Sequence, residues 1–339
     1  MKRVFAALAV MLPLVTPAAA QQDKVLNLYS ARHYDTDEAL YANFTKATGI
    51  RVNRIEAGDE ALLERLRNEG ANSPADVLLI VDASRLHAAD QAGLFAPVKS
   101  ALLEARIPTG LRSPSGTWFA FSSRARILVA DPAVPVADIQ DYLDLADGKN
   151  RGRVCTRPGS HPYMLSLIAS VIAHHGEARA EAWARATVAN MARPPRGGDT
   201  DQIRAVAAGE CAVALTNSYY LVRLMRSRKP EDRAVAEKVR VIWPDQASHG
   251  THMNVSGGGV LRNAPNREAA VRFLEYLAGD EAQAYFANGN NEWPVVKGAG
   301  TANAALAALG TPKFENVPVS TIGKNQIAAQ RILDRVGFR

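Results

Sequence analysis

The stretch Ala214-Leu215-Thr216-Asn217-Ser218-Tyr219-Tyr220 decides how this chain is read. The apolar run 211–215 has the length of a short buried strand, and residues 216–218 read as the turn that ends it. Leu221, Val222, Leu224 and Met225 then recur at helical spacing. Two adjacent phenols therefore stand where a strand end meets a helix start. Open α/β sheets bind their ligands at that edge. As phenolates the pair could hold a hard cation. As neutral rings they could equally pack, since buried tyrosine is ordinary.

Working outward, the same arrangement recurs twice. Residues 153–156 read as a short strand leading through Arg157-Pro158-Gly159-Ser160-His161-Pro162 to Tyr163, after which 164–176 has a helical apolar face. Residues 25–30 read as the first strand, followed by Ala31-Arg32-His33-Tyr34. Asp35 and Glu38 have the spacing of a capping box for the next helix, which Gly49 stops. Helices are expected over 60–69 and 83–93, with a strand at 75–81 between them. This alternation predicts a largely parallel sheet. Two longer extended stretches, 117–131 and 253–261, suit segments that cross between domains.

The chain begins Met1-Lys2-Arg3, then an apolar run over 4–15 and Pro17-Ala18-Ala19-Ala20. That is the pattern of a cleavable secretory signal, with the cut after Ala20. No later stretch approaches the ~20 apolar residues a membrane span needs. The formal charge of +6 falls by two when the leader leaves. A charge so small and dispersed is no nucleic-acid footprint. The 339 residues suit two domains behind a leader. Cys155 and Cys211 are the two cysteines, and an even pair in an exported chain suggests one disulfide.

Tyr34, Tyr163, Tyr219 and Tyr220 thus occupy equivalent strand-to-helix positions, out of nine tyrosines in the chain. Helix starts favour anions such as phenolate. A trivalent cation would hold phenol deprotonated, as bound metals do to their ligands. Zinc would call for cysteine, histidine or carboxylate in tetrahedral spacing, and calcium for several carboxylates. His174 and His175 fall at a helix C-terminus, where the dipole favours histidine without any metal. His249 and His252 lie at a loop-strand junction. Gly257-Gly258-Gly259 lacks the lysine and spacing of a phosphate loop and reads as close strand packing.

The sequence resembles the periplasmic ferric-iron-binding proteins of iron(III) ABC transporters, in the histidine-tyrosine branch described in cyanobacteria. The resemblance covers nearly the whole mature chain. It is carried by Tyr29-Ser30-Ala31-Arg32-His33-Tyr34-Asp35-Thr36-Asp37, by Ser73-Pro74-Ala75-Asp76-Val77 and by Ala192-Arg193-Pro194-Pro195-Arg196-Gly197-Gly198-Asp199. Thr216-Asn217-Ser218-Tyr219-Tyr220-Leu221 and Ala287-Asn288-Gly289-Asn290 complete it. It implies a type II periplasmic binding protein, α/β in class, with two α/β domains joined by crossing hinge strands. The expected division is a signal peptide at 1–20, an N-terminal domain of 21–122 with 252–300, and a C-terminal domain of 123–251 with 301–339.

The resemblance further implies that Tyr34, Tyr163, Tyr219 and Tyr220 hold one Fe3+ per chain, with His33 a fifth ligand in some members. It leaves Fe2+ open as a second cargo. His161 departs from the usual serine or asparagine before Tyr163, which leaves His161 open as a neighbour of the metal. Four phenolates around a trivalent ion leave one negative charge, so a basic surround is expected. Arg124 and Arg223 are the candidates. The implied partner is a membrane permease of an ABC transporter, and the expected state is a periplasmic monomer. Two other readings stand beside this one. A protein of the same fold could bind thiamine, a polyamine or an organic anion. A secreted iron oxidoreductase would need an open coordination position with an acid or base beside it, and His33 is the available group.

Overall fold

The computed structural model describes residues 24–32, 34, 36–310 and 312–339. The expected leader, His33 and Asp35 lie outside the described residues. The strands are β1 (Val25–Ser30), β2 (Arg51–Glu56), β3 (Val77–Ile80), β4 (Phe119–Ala130), β5 (Val154–Cys155), β6 (Val213–Asn217), β7 (Arg240–Ile242), β8 (Met253–Val260) and β9 (Trp293–Pro294). They pair in the order β2-β1-β3-β8-β4-β6-β5, with β7 and β9 each joined to β4.

The sheet is mixed rather than largely parallel. β1 runs parallel to β2 and β3, and β5 parallel to β6, but β8 is antiparallel to β3 and β4, and β4 to β6. Strand–helix alternation enforces parallel pairing only between strands joined by a helical crossover. β8 arrives instead from the other half of the molecule and inserts between β3 and β4, so alternation says nothing about its direction.

β4 is the strand expected over 117–131. Its first part, from Phe119 to Ala125, pairs with β8, and its second, Arg126 to Ala130, pairs with β6. Every residue of it is buried. Glycine at 257–259 lets β8 lie flat between its neighbours. A Cβ at Gly258 would stand 2.2 Å from the Leu78 carbonyl oxygen, and one at Gly259 2.2 Å from that of Thr117. The three glycines are thus a packing device.

The junctions that carry the tyrosines are tighter than expected. β6 stays paired as far as Asn217, opposite Arg126, and the helix Ser218–Met225 begins on the next residue. The expected turn at 216–218 is absent because the ladder to β4 holds Thr216 and Asn217 extended and Ser218 already begins the helix. The helix Pro162–His175 opens with proline in its first turn, where the missing N–H costs nothing, and His161 caps it. The first helix is Asp37–Thr48 with Thr36 at its N-cap, so the cap stands one residue past the expected Asp35. Cys155 and Cys211 form a disulfide with their Cα atoms 5.9 Å apart, beside the β5–β6 pairing. No described helix is long and apolar enough to cross a membrane.

Candidate metal centre

Four phenols converge from three strand-to-helix junctions. The Tyr163 and Tyr219 hydroxyls lie 3.3 Å apart. The Tyr34 ring meets that of Tyr219 edge-on at 5.9 Å between centroids, and the Tyr220 ring stacks on Tyr219 at 4.1 Å. Tyr34, Tyr163 and Tyr219 are buried, and Tyr220 is half-buried. Tyr163 and Tyr219 both occupy the second position of their helices. Helix N-termini favour negative charge nearby.

Burial raises the Tyr34 phenol well above its ordinary pKa, and the Glu292 carboxylate and Tyr163 push it the same way against Arg124 and Arg32. Burial also raises Tyr219 well above the ordinary value, with Tyr163, Tyr34 and Tyr220 adding to it. Tyr163 is raised by burial, and Arg124 opposes the shift. In the empty site these three phenols are neutral. An adjacent cation of high charge reverses that balance, because it stabilises the phenolate that burial penalises.

Arginines surround the rings. The Arg124 guanidinium lies 5.4 Å and that of Arg157 5.1 Å from the Tyr163 ring centre. Arg223 covers Tyr219 at 5.7 Å and Tyr220 at 5.4 Å, and Arg32 covers Tyr34 at 4.8 Å. Arg124 is fully buried on β4, and Nη1 donates to Ser256 at 2.8 Å. Its Nε and Nη2 are buried with no hydrogen-bond partner among the described residues. A buried guanidinium left partly unpaired is costly, and a neighbouring phenolate would offset that cost.

Sequence reading missed Arg32, Arg157 and Glu292. Glu292 is fully buried beside β9. Its Oε1 accepts from the Tyr34 hydroxyl at 3.0 Å and its Oε2 from Ser122 at 2.7 Å. Asp199 fixes the two other junctions together. It accepts from Arg157, just before Tyr163, at 3.2 Å, and from the Asn217 backbone, just before Tyr219, at 2.8 Å. Arg126 closes this cluster on Asp199 at 2.6 Å.

His161 does lie beside Tyr163, with ring centres 4.4 Å apart. Its Nδ1 accepts from the Tyr163 backbone N–H at 3.2 Å, so that nitrogen serves as a helix cap. Burial and then Arg157 push its pKa down to about 3, which keeps the ring neutral. A cavity of about 630 Å³ opens next to it, lined by Asp59, Arg85, Arg157 and Ser160 among others. Among the described residues, His174, His175, His249 and His252 gather elsewhere. His174 stacks on His249 at 3.9 Å, and Glu315 accepts from His174 at 2.8 Å and also bonds His252. Among the described residues no three His, Cys, Asp or Glu side chains are grouped to hold a metal ion. The oxygen atoms that converge are those of the phenols, with the Glu292 carboxylate against Tyr34.

A model of the bacterial extracellular solute-binding protein family matches residues 39–311. Iron uptake protein A2 of Synechocystis sp. is 50% identical over 324 residues, which span 95% of this chain and 92% of that protein. The solved structure of Trichodesmium IdiA (FutA), in complex with iron and citrate ligands, is 51% identical with a TM-score of 0.89, covering 93% of this chain and all 100% of that one. The ferric binding protein from Campylobacter jejuni is 39% identical at a TM-score of 0.89, with coverage of 93% and 100%.

Proposed function

Because this chain belongs to the bacterial extracellular solute-binding proteins, in the branch of ferric-iron-binding relatives, we propose that Tyr34, Tyr163, Tyr219 and Tyr220 are the residues that hold its cargo. The protein is a type II solute-binding protein that captures ferric iron for an ABC transporter. The observation that carries the ligand assignment is the 3.3 Å approach of the Tyr163 and Tyr219 hydroxyls inside a ring of arginines. Two phenols so close can share one small hard cation. Three of the phenols are neutral until a trivalent ion displaces their protons. His33, next to Tyr34, is the fifth member of the proposed set. Arg124 and Arg223 offset the negative charge that four phenolates leave on ferric iron.

In this reading the protein is a carrier and not an enzyme. It binds one ion per chain, closes by hinge motion, and hands the ion to a membrane permease. β4 and β8 are the crossing strands of a division into 21–122 with 252–300 and 123–251 with 301–339. Residues 1–20 direct export to the periplasm and are then removed. The chain works as a monomer.

The test is titration of the purified apoprotein with ferric iron. One equivalent should raise an intense visible phenolate-to-iron band. Thiamine, a polyamine or an organic anion raises none. Tight ferric binding with no such band would overturn the tyrosine assignment.

A further inference from the structure

We propose that Glu292 sets the preference of the tyrosine cluster for ferric over ferrous iron. The inference rests on the phenolate site proposed above and adds a residue that site does not require. Glu292 follows Asn291, whose φ of 62° turns the chain so that the glutamate points inward. The side chain is fully buried, and both carboxylate oxygens are already engaged, by Tyr34 and by Ser122. It is a positioning residue, since it would act on the metal through Tyr34 and through its charge.

Two guanidiniums face it, Arg32 at 3.5 Å and Arg124 at 3.8 Å. Arg32 is also bound to Asp37 at 2.5 Å, so its charge is already shared. Arg124 lies between Glu292 and the Tyr163 ring. The carboxylate thus restrains the arginine and places negative charge behind Tyr34. Among buried groups such charge is poorly screened. It stabilises a trivalent ion more than a divalent one. Glu292 therefore holds the ferric state, and Arg124 opposes it.

The experiment compares wild type, Glu292→Gln, Glu292→Asp and Arg124→Gln. Ferric and ferrous affinities are measured by competition against a chelator without oxygen, and the phenolate band is recorded for each protein. Glu292→Gln keeps an acceptor for Tyr34 and loses the charge. Its ferric-to-ferrous affinity ratio should fall about tenfold, equivalent to about 59 mV upward in midpoint for one electron. Glu292→Asp should return most of that shift. Arg124→Gln should move the ratio the other way, which keeps the inference testable if Glu292→Gln does not fold. An unchanged ratio in Glu292→Gln with the band intact would overturn the inference and leave the site reading standing. So would an Arg124→Gln shift of the same sign as Glu292→Gln. Absence of the band in wild type would remove the site reading itself.

Discussion

The hydroxyl oxygens of Tyr163 and Tyr219 lie 3.3 Å apart although the residues are 56 positions apart in the chain. The disulfide lies along the same pair of strands, since Cys155 pairs opposite Ala214. Asp199 ties the two loops together from the side, through Arg157 and the Asn217 backbone. This pair of hydroxyls is thus held by a covalent bond, an ion pair and a ladder.

Removing one of these oxygens separates binding from packing. Tyr163→Phe and Tyr219→Phe each keep the ring and lose the mutual hydrogen bond, worth about 1 kcal/mol. Apoprotein melting should change little. Iron affinity should fall by at least about tenfold, and the visible band should shift or fade. Spectral titration against citrate measures both. Unchanged affinity in both variants would remove Tyr163 and Tyr219 from the ligand set.

The raised phenols make retention depend on pH. Tyr34, Tyr163 and Tyr219 all carry protons in the empty site because burial lifts them above the ordinary value. If each binds iron as phenolate, as proposed, it must release its proton on loading, so binding should tighten as pH rises and loosen as it falls. Retention against a chelator, corrected for the chelator's own protonation, should decline from about pH 8 to about pH 5. Proton release on loading, read with an indicator dye, gives the same answer independently. Loading that frees no proton would contradict phenolate ligation.

The disulfide should matter for stability more than for ligand chemistry. It closes a loop of sequence separation 56. Replacing both cysteines by serine or alanine should cost about 2–5 kcal/mol, read from denaturant unfolding of the apoprotein. Because the bond lies beside the Tyr163 and Tyr219 loops, iron affinity should also weaken, but the band should keep its position.

Glu315 should govern the acid limb of stability. Burial would raise its carboxyl, but His252, His174 and Ser170 outweigh that and hold it down to about 2. Its contribution is therefore complete above the unfolded carboxylate value of about 4.3 and is lost as pH falls toward 2. Glu315→Gln leaves His252 with a neutral partner in a buried place. Weakening a buried hydrogen bond in this way costs about 1–3 kcal/mol. The melting temperature near neutral pH should drop, and its decline below about pH 4 should flatten relative to wild type. A parallel decline in both proteins would show that other carboxylates control the acid limb.

The tyrosines were legible because each stands at a local boundary, where an apolar run gives way to helical spacing. β4 and β8 announced themselves by length and glycine content. The direction of β8 was not legible, because pairing is decided by where a distant segment is inserted. β2 was passed over, since Arg51-Val52-Asn53-Arg54-Ile55-Glu56 is a largely exposed edge strand with little apolar signal. Glu292 gave no sign at all. Its meaning comes from Tyr34, 258 positions away, and no period or spacing in Asn290-Asn291-Glu292-Trp293-Pro294 points there. Arg32 and Arg157 were invisible for the same reason, since an arginine reads as surface until a ring is found beneath it.

β4 leaves the β8 ladder at Ala125 and enters the β6 ladder at Arg126 without a break in the strand. A gene fragment ending between those two codons would cut a single row of buried residues across its middle. β8, which flanks the first part of β4, is encoded more than a hundred codons later. The half of the sheet built from β1 to β3 and β8 is thus not a contiguous cassette, whereas β5, β6 and β7 follow β4 without interruption. Chimeras that trade the half containing β8 with a relative must exchange separated segments, and either half must be traded with β4 kept from one parent, or the join falls within a hydrogen-bonded strand that has no slack to absorb it.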